Sequence, residues 1–231
     1  MTAHTSEQDN WKKAAGEAAA QLVQDGMLIG LGTGSTANYF IQALGLRLQA
    51  GLQIAGAVPS SNASHDLAAQ VGIPLTTLDA HPELDLYIDG ADEIDPELRL
   101  LKGAGGALVR EKIVASSAQR FIVIADPSKQ VSHLGQNFPV PVEVTPFGVS
   151  PVLKHLQALG ASAQIRVKNG STFISDNSNL IVDCRFPQGI SDPSSLDARI
   201  HQIVGVVETG LFIHMASQVI IGGPNGLQYL P

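Results

Sequence analysis

Short apolar runs and amphipathic stretches alternate through the first half of this chain, and that alternation restricts the fold more than any other feature. Met27-Leu28-Ile29 and residues 53–58, 84–88 and 121–125 read as strands. Helical patterns lie between them: one around Tyr39, Phe40, Ala43 and Leu44 that stops near Gly51, and others near 62–71 and 107–118. Upstream, Trp11, Ala14, Ala15, Ala18, Ala19, Leu22 and Val23 recur every three or four residues, which predicts a helix over 6–25 that Gly26 ends. Strands and helices alternating at this length build an open, mostly parallel sheet with helices on both faces.

After about residue 130 the pattern changes. Pro139, Pro141, Pro146 and Pro151 interrupt it, candidate helices at 149–159 and 193–203 flank strand-like runs at 162–168, 172–175 and 180–185, and Asp176-Asn177-Ser178-Asn179 reads as a hairpin turn. This predicts a small antiparallel α+β unit, a second domain or lid. The late apolar run Ser217–Ile221 is placed to return to the first sheet.

Composition narrows the function classes. A chain of 231 residues that is 44% hydrophobic and 15% charged can bury a full core, and it is too apolar for intrinsic disorder. Its 21 acidic and 14 basic side chains leave a net charge of −7, which argues against nucleic acid as a partner. The uncharged stretch 211–231 is broken by Gly222-Gly223-Pro224-Asn225-Gly226, whereas a membrane span needs about 20 continuous apolar residues. The single Cys184 reads as a packing residue. With no cleavable leader pattern and no internal disulfide possible, a reducing cytoplasm is the expected compartment. The histidines at 4, 65, 81, 133, 155, 201 and 214 show no ligand spacing, and no metal site is expected.

Three segments carry residue types suited to chemistry. Gly32-Thr33-Gly34-Ser35-Thr36-Ala37 joins a strand to a helix and fits G-x-G-x-x-A. Backbone N–H groups and a helix N-terminus there suit a phosphate, and the three hydroxyls add donors. The second strand ends in Val58-Pro59-Ser60-Ser61-Asn62 with no acid before Asp66, so a simple phosphate ester fits better than a dinucleotide. Asp89-Gly90-Ala91-Asp92-Glu93 follows the strand at 84–88, where open α/β sheets bind ligands; its carboxylates suit proton transfer, hydroxyl binding or a hard cation. Lys102-Gly103-Ala104-Gly105-Gly106 lets backbone approach a ligand, offers a cation for an anion, and leads into a helix that carries Glu111 near its start. Lys129 in Ala125-Asp126-Pro127-Ser128-Lys129 also lies near a strand's carboxyl end. Charge is unevenly spread: residues 79–97 hold eight Asp or Glu and no Lys or Arg, while 99–129 hold six Lys or Arg and two acids.

In their order and spacing these segments, with Pro141-Val142-Glu143-Val144, resemble the type A ribose-5-phosphate isomerases over nearly the whole chain. The resemblance implies a Rossmann-like α/β domain at 1–130 plus 208–231, and a smaller α+β lid or oligomerisation domain at 131–207. It implies a cofactor-free aldose–ketose isomerase of the pentose phosphate pathway that interconverts D-ribose 5-phosphate and D-ribulose 5-phosphate. Such enzymes usually form a homodimer or homotetramer. Glu111 matches the general base, Asp89 and Asp92 the acids that hold sugar hydroxyls and assist ring opening, and Lys102 the lysine near the reacting oxygens. Thr33, Gly34, Ser35 and Thr36, then Gly90, Ala91, Gly103, Ala104, Gly105 and Lys129, match substrate contacts. A related sugar-phosphate isomerase or deaminase, a nicotinamide-dependent oxidoreductase and a non-catalytic sugar-phosphate sensor remain as rival readings.

Overall fold

The structure, a computed structural model, describes residues 6–231; His4 lies outside them. The chain begins with α1 (Glu7–Ala20), β1 (Leu28–Leu31), α2 (Ser35–Gln49), β2 (Gly56–Pro59), α3 (Asn62–Gln70) and β3 (Leu84–Asp89). It continues through β4 (Glu93–Ile94), β5 (Leu100–Leu101), α4 (Leu108–Ser116), β6 (Ala118–Ala125), β7 (Val140–Val144) and α5 (Val149–Ala158). There follow β8 (Ser162–Ile165), β9 (Val167–Lys168), β10 (Ser171–Thr172), β11 (Leu180–Arg185) and α6 (Pro193–His201). The last strands are β12 (Val206–Thr209), β13 (Leu211–Phe212), β14 (Gln218–Gly223) and β15 (Gly226–Leu230). Among the described residues no helix is long and apolar enough to cross a membrane.

Two compact units result. The first takes in the described residues up to Ala91, Arg110–Lys129 and Met215–Pro231; the second takes Asp92–Val109 and Gln130–His214. Residues 92–109, expected with the first unit, group with the second because β5 pairs with β4 and with β13 in one three-stranded sheet. The return to the first unit begins at Met215 rather than at 208, since β12 and β13 pair within the second.

The first unit is the expected parallel sheet, six strands in the order β15-β14-β6-β3-β1-β2 with only the β14–β15 pair antiparallel. Strands covered on both faces must be apolar almost throughout, and Phe121, Ile122, Val123, Ile124 and Ala125 are all buried. Alternate side chains go to opposite faces. Ile29, Leu31, Leu86, Ile88, Ile122 and Ile124 join Phe40, Ile41 and Leu44 of α2 in one core. Tyr87 and Phe121, paired across β3 and β6, stack with ring centroids 4.8 Å apart. The first helix stops five residues short of the expected end. Its carbonyls at Ala20 and Val23 accept from the Arg47 guanidinium, and Leu22 and Val23 bond three residues back, so a turn replaces the last helical turn.

In the second unit a four-stranded antiparallel sheet runs β12-β7-β11-β8. Val140, Val142, Val144, Val182 and Cys184 pack with Val152 and Leu156 of α5 and Ile200 of α6. The prolines at 139–141 concealed β7; Pro141 lies opposite Asp183 of β11, just beyond the residues that β12 pairs. The run 162–168 is two strands that part at Arg166, with β8 on β11 and β9 on β10. The predicted turn at 176–179 is present, with Ser178 at φ 63 between the bridged Ile174 and Leu180.

Candidate active site

In the first unit the predicted loops leave the carboxyl ends of β1, β2, β3 and β6, as the parallel topology requires. Asp89 ends β3 and is fully buried. Its Oδ1 accepts the N–H of Thr33 at 2.8 Å and that of Gly90 at 2.7 Å, and its Oδ2 accepts the hydroxyl of Tyr87. Only glycine fits at 32, where a Cβ would sit 2.3 Å from Asp89 Oδ1. Gly34 takes φ 107, so α2 starts at Ser35 without a side-chain cap. Its first N–H groups and the positive end of its dipole are suited to an anion. Thr36 is buried, Gly34 and Ser35 are exposed, and the Thr33 hydroxyl lies 2.8 Å from Ser60 Oγ and 2.9 Å from Ser61 Oγ.

Glu111 sits in the first turn of α4 and is only 4% exposed, so it is not a solvated surface charge. Its charge reaches Tyr87, as that of Asp89 does. Burial above all, then the charges of Asp89 and Glu111, push the Tyr87 phenol well above its ordinary pKa, against a lowering hydrogen bond from Ser60. Thr33, Ser60, Tyr87, Asp89 and Glu111 therefore form one polar cluster beneath the strand ends. Sequence reasoning missed Tyr87, which reads as an ordinary apolar strand residue. Lys129 is half-buried on a 3₁₀ turn, 127–129. Beside it Asp126 Oδ1 accepts from Ser128 and from Gln8 Nε2 at 3.2 Å. Burial opposes ionisation of Asp126, but the Ser128 and Gln8 bonds and the charge of Lys12 outweigh it and hold its pKa below the ordinary value. Gln8 and Lys12 were not legible as site neighbours, because α1 reaches β6 only in the tertiary fold.

In the second unit Asp92 precedes β4 and Lys102 follows β5, so the ribbon carries both. Lys102 is 2% exposed, with its Nζ 5.5 Å from the centre of the Phe212 ring. Asp92 Oδ2 accepts the N–H of Ala104 at 2.8 Å. Arg166 donates to the carbonyls of Gly103 and Ala104, and a cavity of about 400 Å³ opens beside Ala104, Gly105, Arg166, Lys168 and Phe173. Much of the acidic run serves the fold. Glu93 accepts from the N–H groups of Gly135, Asn137 and Phe138, Asp95 binds Arg99, and in the first unit Asp85 accepts the N–H of Leu28. In the first unit a cavity of about 700 Å³, lined by Val58, His65, Thr76, Asp79 and Arg110, includes none of the residues singled out from sequence.

Asp197, His201 and Glu208 bring ligand-type atoms within 4.8 Å of one another, a convergence that the scattered histidines did not suggest. Both ring nitrogens of His201 are engaged, Nε2 with Glu208 at 2.7 Å and Nδ1 with the Asp197 carbonyl at 2.9 Å. The group ties α6 to β12.

Fold and site together define an α/β enzyme with buried carboxylates and a buried lysine in the loops at its strand ends, the equipment of proton transfer on a small polar substrate. The family model for ribose 5-phosphate isomerase A (phosphoriboisomerase A) matches residues 56–226. Ribose-5-phosphate isomerase A of Bacillus mycoides (strain KBAB4) is 53% identical over 219 residues, covering 95% of this chain and 98% of that protein. A solved D-ribose-5-phosphate isomerase in complex with phospho-erythronic acid superposes with a TM-score of 0.94 at 40% identity, covering 97% and 99% of the two chains. The ribose 5-phosphate isomerase of Plasmodium falciparum gives 0.93 at 41%, covering 96% and 98%. The chain belongs to the ribose 5-phosphate isomerase A family and is an isomerase.

Proposed function

We propose that this chain interconverts D-ribose 5-phosphate and D-ribulose 5-phosphate, with Glu111 as the base. The buried Glu111, sharing Tyr87 as a neighbour with Asp89, is the observation that carries the reading. A carboxylate held out of water beside the reacting carbon can take up and return a proton as a general base.

In the open-chain aldehyde Glu111 removes the C2 proton, leaving a 1,2-enediolate, and returns it to C1. The O2 proton passes to O1, so a ketone forms at C2 and all atoms balance. Negative charge grows on O1 and O2, and Lys102 with the backbone N–H group of Gly105 stabilises it. Asp89 and Asp92 hold sugar hydroxyls and assist ring opening. The 33–36 turn at the start of α2 and Lys129 contact the substrate as an anion. The relative solved with phospho-erythronic acid supports this reading, since the planar carboxylate of a phosphorylated sugar acid resembles an enediolate. The reaction belongs to the non-oxidative pentose phosphate pathway, in the cytoplasm, carried out by a homodimer or homotetramer.

The test is ribulose 5-phosphate formation from ribose 5-phosphate by the parent and by Glu111→Gln. The variant should keep its fold and substrate binding and lose nearly all turnover. Parental turnover in Glu111→Gln would remove the base assignment.

A further inference from the structure

One guanidinium in the second unit holds four acceptors at once. Arg166 Nε donates to Asp183 Oδ2 at 2.9 Å and one terminal nitrogen donates to Asp183 Oδ1. The other terminal nitrogen donates to the carbonyls of Gly103 at 2.8 Å and Ala104 at 3.0 Å. The Arg166 side chain is 12% exposed and that of Asp183 25%. A planar fork of five donors suits this task, and a lysine ammonium does not.

Pinning these two carbonyls has a geometric consequence. In a trans peptide the C=O of one residue and the N–H of the next point in opposite directions. The Gly103 carbonyl faces Arg166, so the Ala104 N–H faces away, where it meets Asp92 Oδ2 at 2.8 Å. The Ala104 carbonyl also faces Arg166, so the Gly105 N–H is turned away from the guanidinium. Gly105 is exposed, nothing lies within 4 Å of where its Cβ would be, and among the described residues no acceptor meets its N–H. The next residue is held as well. Gly106 has φ +90, and an added Cβ would sit 2.3 Å from Phe173, whose ring centre is 5.9 Å from the Arg166 guanidinium carbon.

We infer that Arg166, fixed by Asp183, is a positioning residue for the isomerisation: it presets the Gly105 N–H as a donor to the developing oxyanion and aligns Asp92 through Ala104. The inference rests on the reading that the 103–105 backbone meets substrate. Arg166 touches no reacting atom; it acts through the peptide planes. A preorganised backbone donor is worth most at the transition state, so loss of the clamp lowers kcat and leaves KM nearly unchanged.

Steady-state kinetics of Arg166→Ala and Arg166→Lys with ribose 5-phosphate test this beside Glu111→Gln. Both Arg166 variants should lose about 100-fold in kcat, the scale of a donor misplaced by about 1 Å. Added ethylguanidinium should restore much of the loss in Arg166→Ala and none in Arg166→Lys, whose side chain fills the space. A purely structural role predicts no such rescue. Should Arg166→Ala not fold, Asp183→Asn, which loosens the fork and leaves the arginine in place, should still lower kcat about tenfold at constant KM. Near-parental kcat in the folded Arg166 or Asp183 variants, or a loss confined to KM, overturns the inference. If those variants behave like the parent while Glu111→Gln is inactive, only the clamp fails; if Glu111→Gln turns over normally, the functional reading fails first.

Discussion

Tyr87 and Asp89, two residues apart on β3 and so on the same face of the strand, are bonded to each other through phenol and carboxylate. Burial, then the charges of Asp89 and Glu111, raise the Tyr87 pKa well above 10. A raised folded-state pKa means that this contribution to stability is whole below about pH 10 and is lost as pH rises further. Tyr87→Phe should therefore lose less stability than the parent between about pH 10 and pH 11, as urea unfolding at each pH will measure. Its native absorbance titration at the tyrosinate band should overlay that of the parent up to about pH 11. A missing ionisation step in the variant below that pH would show that Tyr87 titrates normally.

Gly32→Ala tests how tightly the first loop is packed on Asp89. The new Cβ would lie 2.3 Å from Oδ1 and 2.5 Å from Cα of Asp89, and a backbone atom cannot swing aside. A loss of about 1–3 kcal/mol is expected, as for other overpacked sites, with lower kcat/KM in the folded fraction. At Gly90 the nearest atom to an added Cβ is 3.8 Å away, so Gly90→Ala should unfold at nearly the parental urea midpoint.

Adjacent acids should part company. Glu93 is fully buried and takes three backbone N–H groups of the 135–138 loop, so Glu93→Ala strands all three donors. At about 1–3 kcal/mol for each such group, the loss approaches the whole stability of a domain. Asp92→Asn keeps an oxygen that can accept from Ala104 and should unfold near the parental midpoint while kcat falls. Equal destabilisation of the two variants would show that Asp92 is also a structural anchor.

Burial, and to a lesser degree Asp183, push the Cys184 thiol up to about 12. The native protein should give no reaction with an aromatic disulfide reagent at about pH 8, where the thiolate is scarce. One thiol per chain should appear once the protein is unfolded, in agreement with the single cysteine.

How much of this was legible in sequence depended on how far each signal reached. Strands β1, β3 and β6 and helices α2 and α3 announce themselves through continuous apolar runs or 3.6-residue spacing. Two-residue strands such as β4, β5 and β13 have no period to detect, so nothing local in the sequence separates 92–109 from the first unit. Pro141 hid β7 because proline argues against an inner strand. At the site, Asp89 and Lys102 stand out in glycine-containing loops that follow predicted strands, and Glu111 through its match to the family's general base. Tyr87, Ser60 and Arg166 do not: the first two look like parts of a strand and of a helix cap, and Arg166 meets the glycine loop from about 60 residues away. Such partners are set by sheet register, and register is invisible to local patterns.

The first unit takes its described residues from 6–91, 110–129 and 215–231, and the last of these supplies β14, which pairs with β6 along Gln218–Ile221. During synthesis the edge of β6 therefore stays open until about ninety further residues have been made. Meanwhile every stretch of the second unit has already emerged. Assembly order runs against chain order: the unit that starts first finishes last. For a time the growing chain presents Phe121–Ala125 as an unpaired apolar edge, the kind of surface that invites association with other chains. A nascent chain halted before residue 218 should need chaperone protection that the full chain does not.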